Sequence, residues 1–176
     1  MFRKTVYHGT LKERTFKILK NEFYRSTKKT EWLGHGVYFF EDLNYAQAWA
    51  YQEGGKTDPA KEPAVLSATI QCEDNEFFDL DIAENMKKLE AMRKLFSQKS
   101  DLGHAIIGPQ ELRCAACNLY KKLNGIKIFA YSFPKVTTNV VGFPVNSPQR
   151  QFCVDDVANI CNVTIIPMEE VVNYDL

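Results

Sequence analysis

Two strings that join histidine to glycine, Tyr7-His8-Gly9-Thr10 and Gly34-His35-Gly36-Val37-Tyr38-Phe39, constrain the fold more than anything else in the chain. Residues 3–8 alternate as a strand toward the first string, and Leu11–Phe23 reads as a helix with Phe16, Ile18, Leu19 and Phe23 as its apolar positions. Thr10 is the expected N-cap of that helix. A glycine beside His8 has no Cβ, so the backbone N–H and C=O there can approach a planar amide closely. The imidazole can bond a hydroxyl through one ring nitrogen. Tyr38 offers a flat face for a planar cation.

The rest of the chain alternates between strand-like and helix-like stretches. Tyr24–Glu31, with Arg25, Lys28 and Lys29, is polar and reads either as a basic lip for a phosphate-bearing ligand or as a solvated connection. Asp42–Gln52 is a helix opened by an acidic residue, and Gly54–Pro63 is a turn cluster. Strands are expected at Ala64–Gln71, Phe77–Leu80, Ile126–Phe133, Gln151–Val154 and Cys161–Ile166, with a brief one at Val140–Phe143. Ile82–Lys99 is the longest helical signal, with Ile82, Met86, Leu89, Met92, Leu95 and Phe96 on one face. A further helix, Gln110–Leu123, is closed by Gly125. Strict βαβ alternation is missing, which makes the fold class α+β and not a doubly wound parallel sheet.

In order and content, His8-Gly9-Thr10 and then Gly34-His35-Gly36-Val37-Tyr38-Phe39 followed by the helix bearing Ala46-Gln47-Ala48-Trp49 resemble the NAD-binding half of an ADP-ribosyltransferase. The likeness is to the diphtheria-toxin and poly(ADP-ribose)-polymerase branch. It implies a split β-sheet core with flanking helices, occupied by a single domain over residues 1–176. It also implies NAD as co-substrate and no metal. His8, Gly9, Thr10 and Gly36 would bind and orient NAD. Tyr38 and Trp49 would hold the nicotinamide, Trp49 standing where the branch has its second stacking aromatic. Ala46 stands where that branch has a serine and lacks its hydroxyl. A purely structural alternative for Trp49 is packing with Tyr45 at i and i+4.

The third motif departs from the pattern. The polymerase branch has a glutamate at the start of a late strand, and the matching stretch Arg150-Gln151-Phe152-Cys153-Val154 puts Gln151 there. An amide donates and accepts hydrogen bonds but carries no charge and is no general base. Three readings stand: the acceptor needs no base, a neighbouring acid among Asp155, Asp156 and Glu41 supplies the charge, or the domain binds NAD without turnover. The expected activity is mono-ADP-ribosyl transfer to a protein or nucleic acid by His8, Tyr38 and Gln151, with residues 144–150 as the acceptor loop. The alternatives are NAD hydrolysis and a noncatalytic module for NAD or ADP-ribose. A toxin, effector or defence role would suit such a chain, and a toxin would be expected to have a neutralising partner protein.

Composition narrows the partners. Lysine plus arginine and aspartate plus glutamate are both 22, so net charge gives no argument for nonspecific nucleic-acid binding. No apolar run approaches the roughly 20 residues of a membrane span, and the expected location is the cytoplasm. The cysteine count, 5, is odd, and the cysteines sit in apolar segments, which suits reduced thiols and not a disulfide framework. Cys114-Ala115-Ala116-Cys117 has the spacing of half a zinc site, yet it falls within a helix and no second pair follows. His104, in the apolar run before Pro109, is expected to be a hydrogen-bonded structural histidine.

Overall fold

The computed structural model describes residues 1–20, 22–57, 61–100, 108–134, 138–140, 143–145 and 148–167. β1 (Phe2–Leu11) leads into α1 (Lys12–Leu19), and β2 (Val37–Phe40) into α2 (Leu43–Thr57). β3 (Pro63–Cys72) and β4 (Phe77–Asp79) precede two long helices, α3 (Ala83–Ser100) and α4 (Pro109–Asn124). β5 (Ile128–Phe133), β6 (Thr138–Val140), β7 (Phe143–Val145), β8 (Gln149–Val154) and β9 (Ile160–Ile166) complete the order. The segment around His104 lies outside the described residues.

The main sheet has seven strands in the order β4-β5-β8-β2-β1-β3-β9. β4 and β5 run parallel and the other neighbours antiparallel, so the protein is α+β with a mixed sheet. The junction between β1 and β2 is unlike the rest. β1 is paired with β3 along its whole length, from Phe2↔Cys72 to Leu11↔Pro63, but it meets β2 only at Tyr7↔Phe40. Beyond that pair the two strands part.

Residues alternate between the faces of a strand, and two cores follow. On one face Val6, Phe39, Leu66, Ile128 and Phe152 are buried together with Ile18 of α1 and Phe23. On the other face Phe129 and Cys153 pack with Leu89 of α3 and Ala116, Cys117 and Tyr120 of α4. α2 covers β1 and β3 by a third cluster, Phe40, Ala46, Ala50 and Val65.

Several expectations are corrected. Thr10 is no helix cap: it is a buried strand residue opposite Ala64, and α1 begins after Leu11 with no side-chain cap. Phe16 is 77% exposed, so the apolar face of α1 reduces to Ile18 with Thr15. Ile82 precedes α3 and is exposed, as are Met86 and Leu95 on the helix, and Leu89 is buried. Of the brief strand expected at 140–143, Val140 ends β6 and Phe143 begins β7, its antiparallel partner, and residues 141–142 lie outside the described residues. The acceptor-loop range 144–150 is largely strand, since Val145 ends β7 and Gln149 begins β8, and residues 146–147 lie outside the described residues.

Candidate functional site

The parting of β1 from β2 leaves backbone groups facing a gap. Lys12 N–H donates to Glu62 O (2.9 Å), which continues the β1–β3 ladder. Alternation along that ladder turns the N–H and C=O of His8 and Thr10 toward β3, and those of Gly9 away from it, toward β2. On the other side Glu41 N–H donates to Arg150 O (3.0 Å), so the C=O and N–H of Tyr38 are turned toward β1. A regular ladder would pair Gly9 with Tyr38. Instead the His8 ring takes the Tyr38 carbonyl, with Nδ1 2.8 Å from its oxygen.

A carbonyl only accepts, so Nδ1 carries the proton and Nε2 is left as the acceptor. Burial pushes the His8 pKa below the ordinary histidine value, opposed by the bond to the Tyr38 carbonyl. The ring is thus a neutral imidazole with a fixed tautomer. Phe23 and Phe39 hold it at centroid distances of 5.7 and 5.6 Å.

Gly9 is needed for packing as well. A Cβ there would lie 2.2 Å from the Ala46 carbonyl oxygen, so α2 rests directly on β1. Ala46 itself is fully buried. Its side chain packs with Phe40, Ala50 and Val65.

The Gly34-His35-Gly36 turn is fastened from α4. His35 N–H donates to Asn118 Oδ1 (2.7 Å), and Lys121 Nζ donates to His35 O. A Cβ on Gly36 would fall 2.6 Å from both Cys153 Sγ and Val154 O, and Gly34 has φ of 81° with Asn118 Oδ1 2.5 Å from its would-be Cβ. The Tyr38 hydroxyl is committed to the same turn. It donates to Gly34 O (2.7 Å) and accepts from Leu33 N–H (2.9 Å), and burial pushes its pKa far up. Tyr38 therefore presents its ring and not its hydroxyl.

A cavity of about 1430 Å³ opens over these groups. His8, Gly9, Thr10, Gly36, Tyr38, Trp49 and Gln151 all line it, which brings together the residues expected from the sequence to bind NAD or to act on it. Gln151 stands in register with Phe40 of β2 on one side and Tyr131 of β5 on the other. No hydrogen bond to another described residue holds its amide. Trp49 is 44% exposed and tilted against Phe40 at 6.3 Å, so it is a wall of the cavity and not core.

None of the three acids considered as a substitute for a glutamate at 151 lines this cavity. Asp155 pairs with Arg25 (2.6 Å) and Lys121 (3.2 Å), Asp156 caps a short 3-10 turn by accepting from Ala158 N–H (3.0 Å), and Glu41 pairs with Lys4 and Arg150. Of the basic lip, Lys28 lines the cavity, whereas Arg25 is drawn away to Asp155.

Sequence reasoning missed the far wall. Arg113 of α4 has its guanidinium carbon 3.9 Å from the Trp32 ring centroid, and both residues line the cavity. The Cys114/Cys117 pair serves this wall: their thiols lie 3.5 Å from Lys28 O and 4.0 Å from Trp32 O, which ties the segment before β2 to α4. Burial pushes the Cys117 thiol up to about 12, so it is a neutral donor. No group of three or more His, Cys, Asp or Glu among the described residues is placed to hold a metal ion.

Fold and site define an α+β protein with a deep cavity over a parted strand pair. No family model matches the chain. Over 97 residues, 54% of its length, the chain is 34% identical to Uncharacterized protein MJ0359 of Methanocaldococcus jannaschii, and the match spans 45% of that relative. Among the described residues, no helix is long and apolar enough to cross a membrane.

Proposed function

We propose that the chain is an NAD-dependent mono-ADP-ribosyltransferase built on an ADP-ribosyltransferase-like split sheet. The observation that carries this reading is the parted β1–β2 edge. There the Gly9 N–H and C=O face a cavity beside a neutral imidazole with a free Nε2. A carboxamide needs one donor and one acceptor, and a ribose hydroxyl needs an acceptor for its proton; this edge offers both within two consecutive residues. In the proposed complex the nicotinamide amide bonds Gly9 and its ring lies against Tyr38, with Trp49 closing the outer side. His8 Nε2 accepts from a ribose hydroxyl.

In the reaction the bond between ribose C1′ and the nicotinamide nitrogen breaks and nicotinamide leaves with the electron pair. A lone pair of the acceptor forms the new bond at C1′, and the acceptor's proton passes to solvent. Gln151 reaches the same cavity and orients the ribose or the acceptor through its amide. The volume supports two substrates, since a pocket for one drug-sized ligand runs to about 300–1,000 Å³.

The absence of Asp155, Asp156 and Glu41 from the cavity lining favours a second reading, a noncatalytic module for NAD or ADP-ribose. Nicotinamide release from NAD, measured with and without cell lysate as an acceptor source, separates the two. Transfer predicts release that rises with lysate and is lost in His8→Ala. His8→Ala should also weaken NAD binding about 5- to 10-fold by removing one hydrogen bond. Unchanged NAD affinity in a folded His8→Ala protein would sink the proposal. NAD binding with no release under either condition would establish the second reading.

A further inference from the structure

Arg113 is the one described residue whose buried side-chain nitrogens, Nε and Nη2, have no hydrogen-bond partner. An unpaired guanidinium at low exposure is costly, and such a group calls for a missing partner. None of the four acids lining the cavity pairs with it: Glu90 is taken by Arg93 (2.7 Å), Glu31 accepts from Ser26 Oγ, Glu53 lies 3.7 Å from Arg14, and no ion pair joins Glu22 to Arg113.

What surrounds Arg113 is aromatic. Its guanidinium lies over Trp32, which is 52% exposed although it stands at the cavity wall. Phe133 meets Trp32 edge-on at 5.4 Å, and Tyr131 meets Phe133 edge-on at 4.9 Å. Tyr131 is the cross-strand neighbour of Gln151. A line of rings therefore runs from the proposed reaction centre to a half-exposed indole backed by an unpaired cation.

The other end of the cavity is different. Thr10 and, on α1, Arg14 and Lys17 also line the cavity, and Lys17 and Arg14, the latter 3.7 Å from Glu53, are the cations suited to the pyrophosphate of a dinucleotide held at Gly9. That assignment leaves the Trp32–Arg113 end unoccupied by NAD. We infer that this end is a subsite for an unpaired nucleobase and its adjoining phosphate, which makes the acceptor a single-stranded nucleic acid. The base stacks on Trp32, and Arg113 bonds the phosphate. The inference rests on the transferase reading for its direction toward Gln151, but the binding surface stands without it.

A flat, open indole with a cation behind it accepts any base, because every base has a π-face. Within a duplex each base face is already stacked on its neighbours, so the strand that offers its bases freely is a single one. A peptide acceptor explains the aromatic line less well, since nothing in the subsite selects a particular side chain and the unpaired cation would need an acidic one beside it.

The test is binding of fluorescein-labelled single-stranded DNA and RNA 12-mers by the full chain in the absence of NAD, followed by anisotropy, with the matching duplexes for comparison. Single strands should bind more tightly than duplexes. Trp32→Ala should weaken binding about 10-fold or more, with Trp32→Phe recovering part of the loss. Arg113→Gln should weaken it and flatten its dependence on salt by about one phosphate contact. Far-ultraviolet circular dichroism of each variant shows that it is folded. NAD binding to the wild-type chain is measured separately by calorimetry.

A chain that binds NAD but no single strand overturns this inference and leaves the transferase reading. One that binds single strands through Trp32 but no NAD does the reverse. Single-strand binding that is indifferent to both Trp32→Ala and Arg113→Gln also overturns it. So does transfer of labelled ADP-ribose to lysate protein in preference to added oligonucleotide.

Discussion

The two walls of the cavity are built on opposite terms. On the β1–β2 wall the polar groups use one another: His8 holds the Tyr38 carbonyl, and the Tyr38 hydroxyl holds Gly34 and Leu33. On the wall formed by α4, β5 and the segment before β2, the guanidinium of Arg113 has two nitrogens without partners. The first wall is a finished frame whose remaining free groups are few and fixed. The second carries an unmet demand that a ligand would fill. Substitutions in the first should cost stability, and at His8 NAD binding as well, whereas those in the second should cost binding with little change in stability.

The sharpest break of that contrast is at Gly9. Gly9→Ala places a Cβ 2.2 Å from a backbone oxygen that no rotamer can move, so α2 must shift off β1. The expected loss is about 3 kcal/mol by urea denaturation, the upper part of the usual range for overpacking. A loss below about 1 kcal/mol would show that α2 is not seated as described. Tyr38→Phe comes next. It removes the hydroxyl that serves Gly34 O and Leu33 N–H, and the expected cost is about 1–2 kcal/mol with NAD binding retained. Loss of binding with no loss of stability would mean that the hydroxyl serves a ligand instead.

His8 supplies a smaller effect with a definite sign. Its folded-state pKa lies below the ordinary 6.5, so as pH falls through 6.5 the unfolded chain takes the proton first. Its contribution to stability is complete above 6.5 and declines as pH drops from there toward the lowered folded value. NAD affinity should hold through that interval and fall only as pH passes the lowered folded value, because a protonated Nε2 donates and no longer accepts. The comparison is the slope of stability against pH in wild type and His8→Gln, and equal slopes between pH 5 and 6.5 would refute it. The smallest expected change is Arg113→Gln. Losing the contact with Trp32 and losing an unpaired buried cation oppose each other, so stability should stay within about 1 kcal/mol of wild type by the same denaturation. A larger loss would place Arg113 in the frame and dissolve the contrast between the walls.

Much of the first wall was legible in the sequence because its parts are local strings. The His8-Gly9 string lies within β1, the Gly34–Phe39 string runs into β2, and Gln151 falls in a strand of its own. The second wall was hidden because no short window contains it. Trp32, Arg113 and Phe133 come from three elements, and the thiols of Cys114 and Cys117 reach carbonyls at Lys28 and Trp32. Helical periodicity also overstated burial. It names a stripe on α1 and α3 but cannot say whether anything covers it, and Phe16 and Leu95 are left largely in solvent. Glu41, Asp155 and Asp156 looked available because a sequence does not show which acids are already engaged by Arg25, Lys121, Lys4 and Arg150, or by a backbone N–H.

Lys121 gives one last consequence. Its ammonium is almost wholly enclosed and joins the His35 carbonyl to Asp155, near Cys153 Sγ (3.7 Å). A lysine at that depth cannot let go of one partner without water reaching all of them. The glycine turn, the last turns of α4 and the end of β8 are therefore bound to open together. In hydrogen exchange the His35 and Gly36 amides, though they sit in a short irregular segment, should exchange as slowly as the helix that grips them.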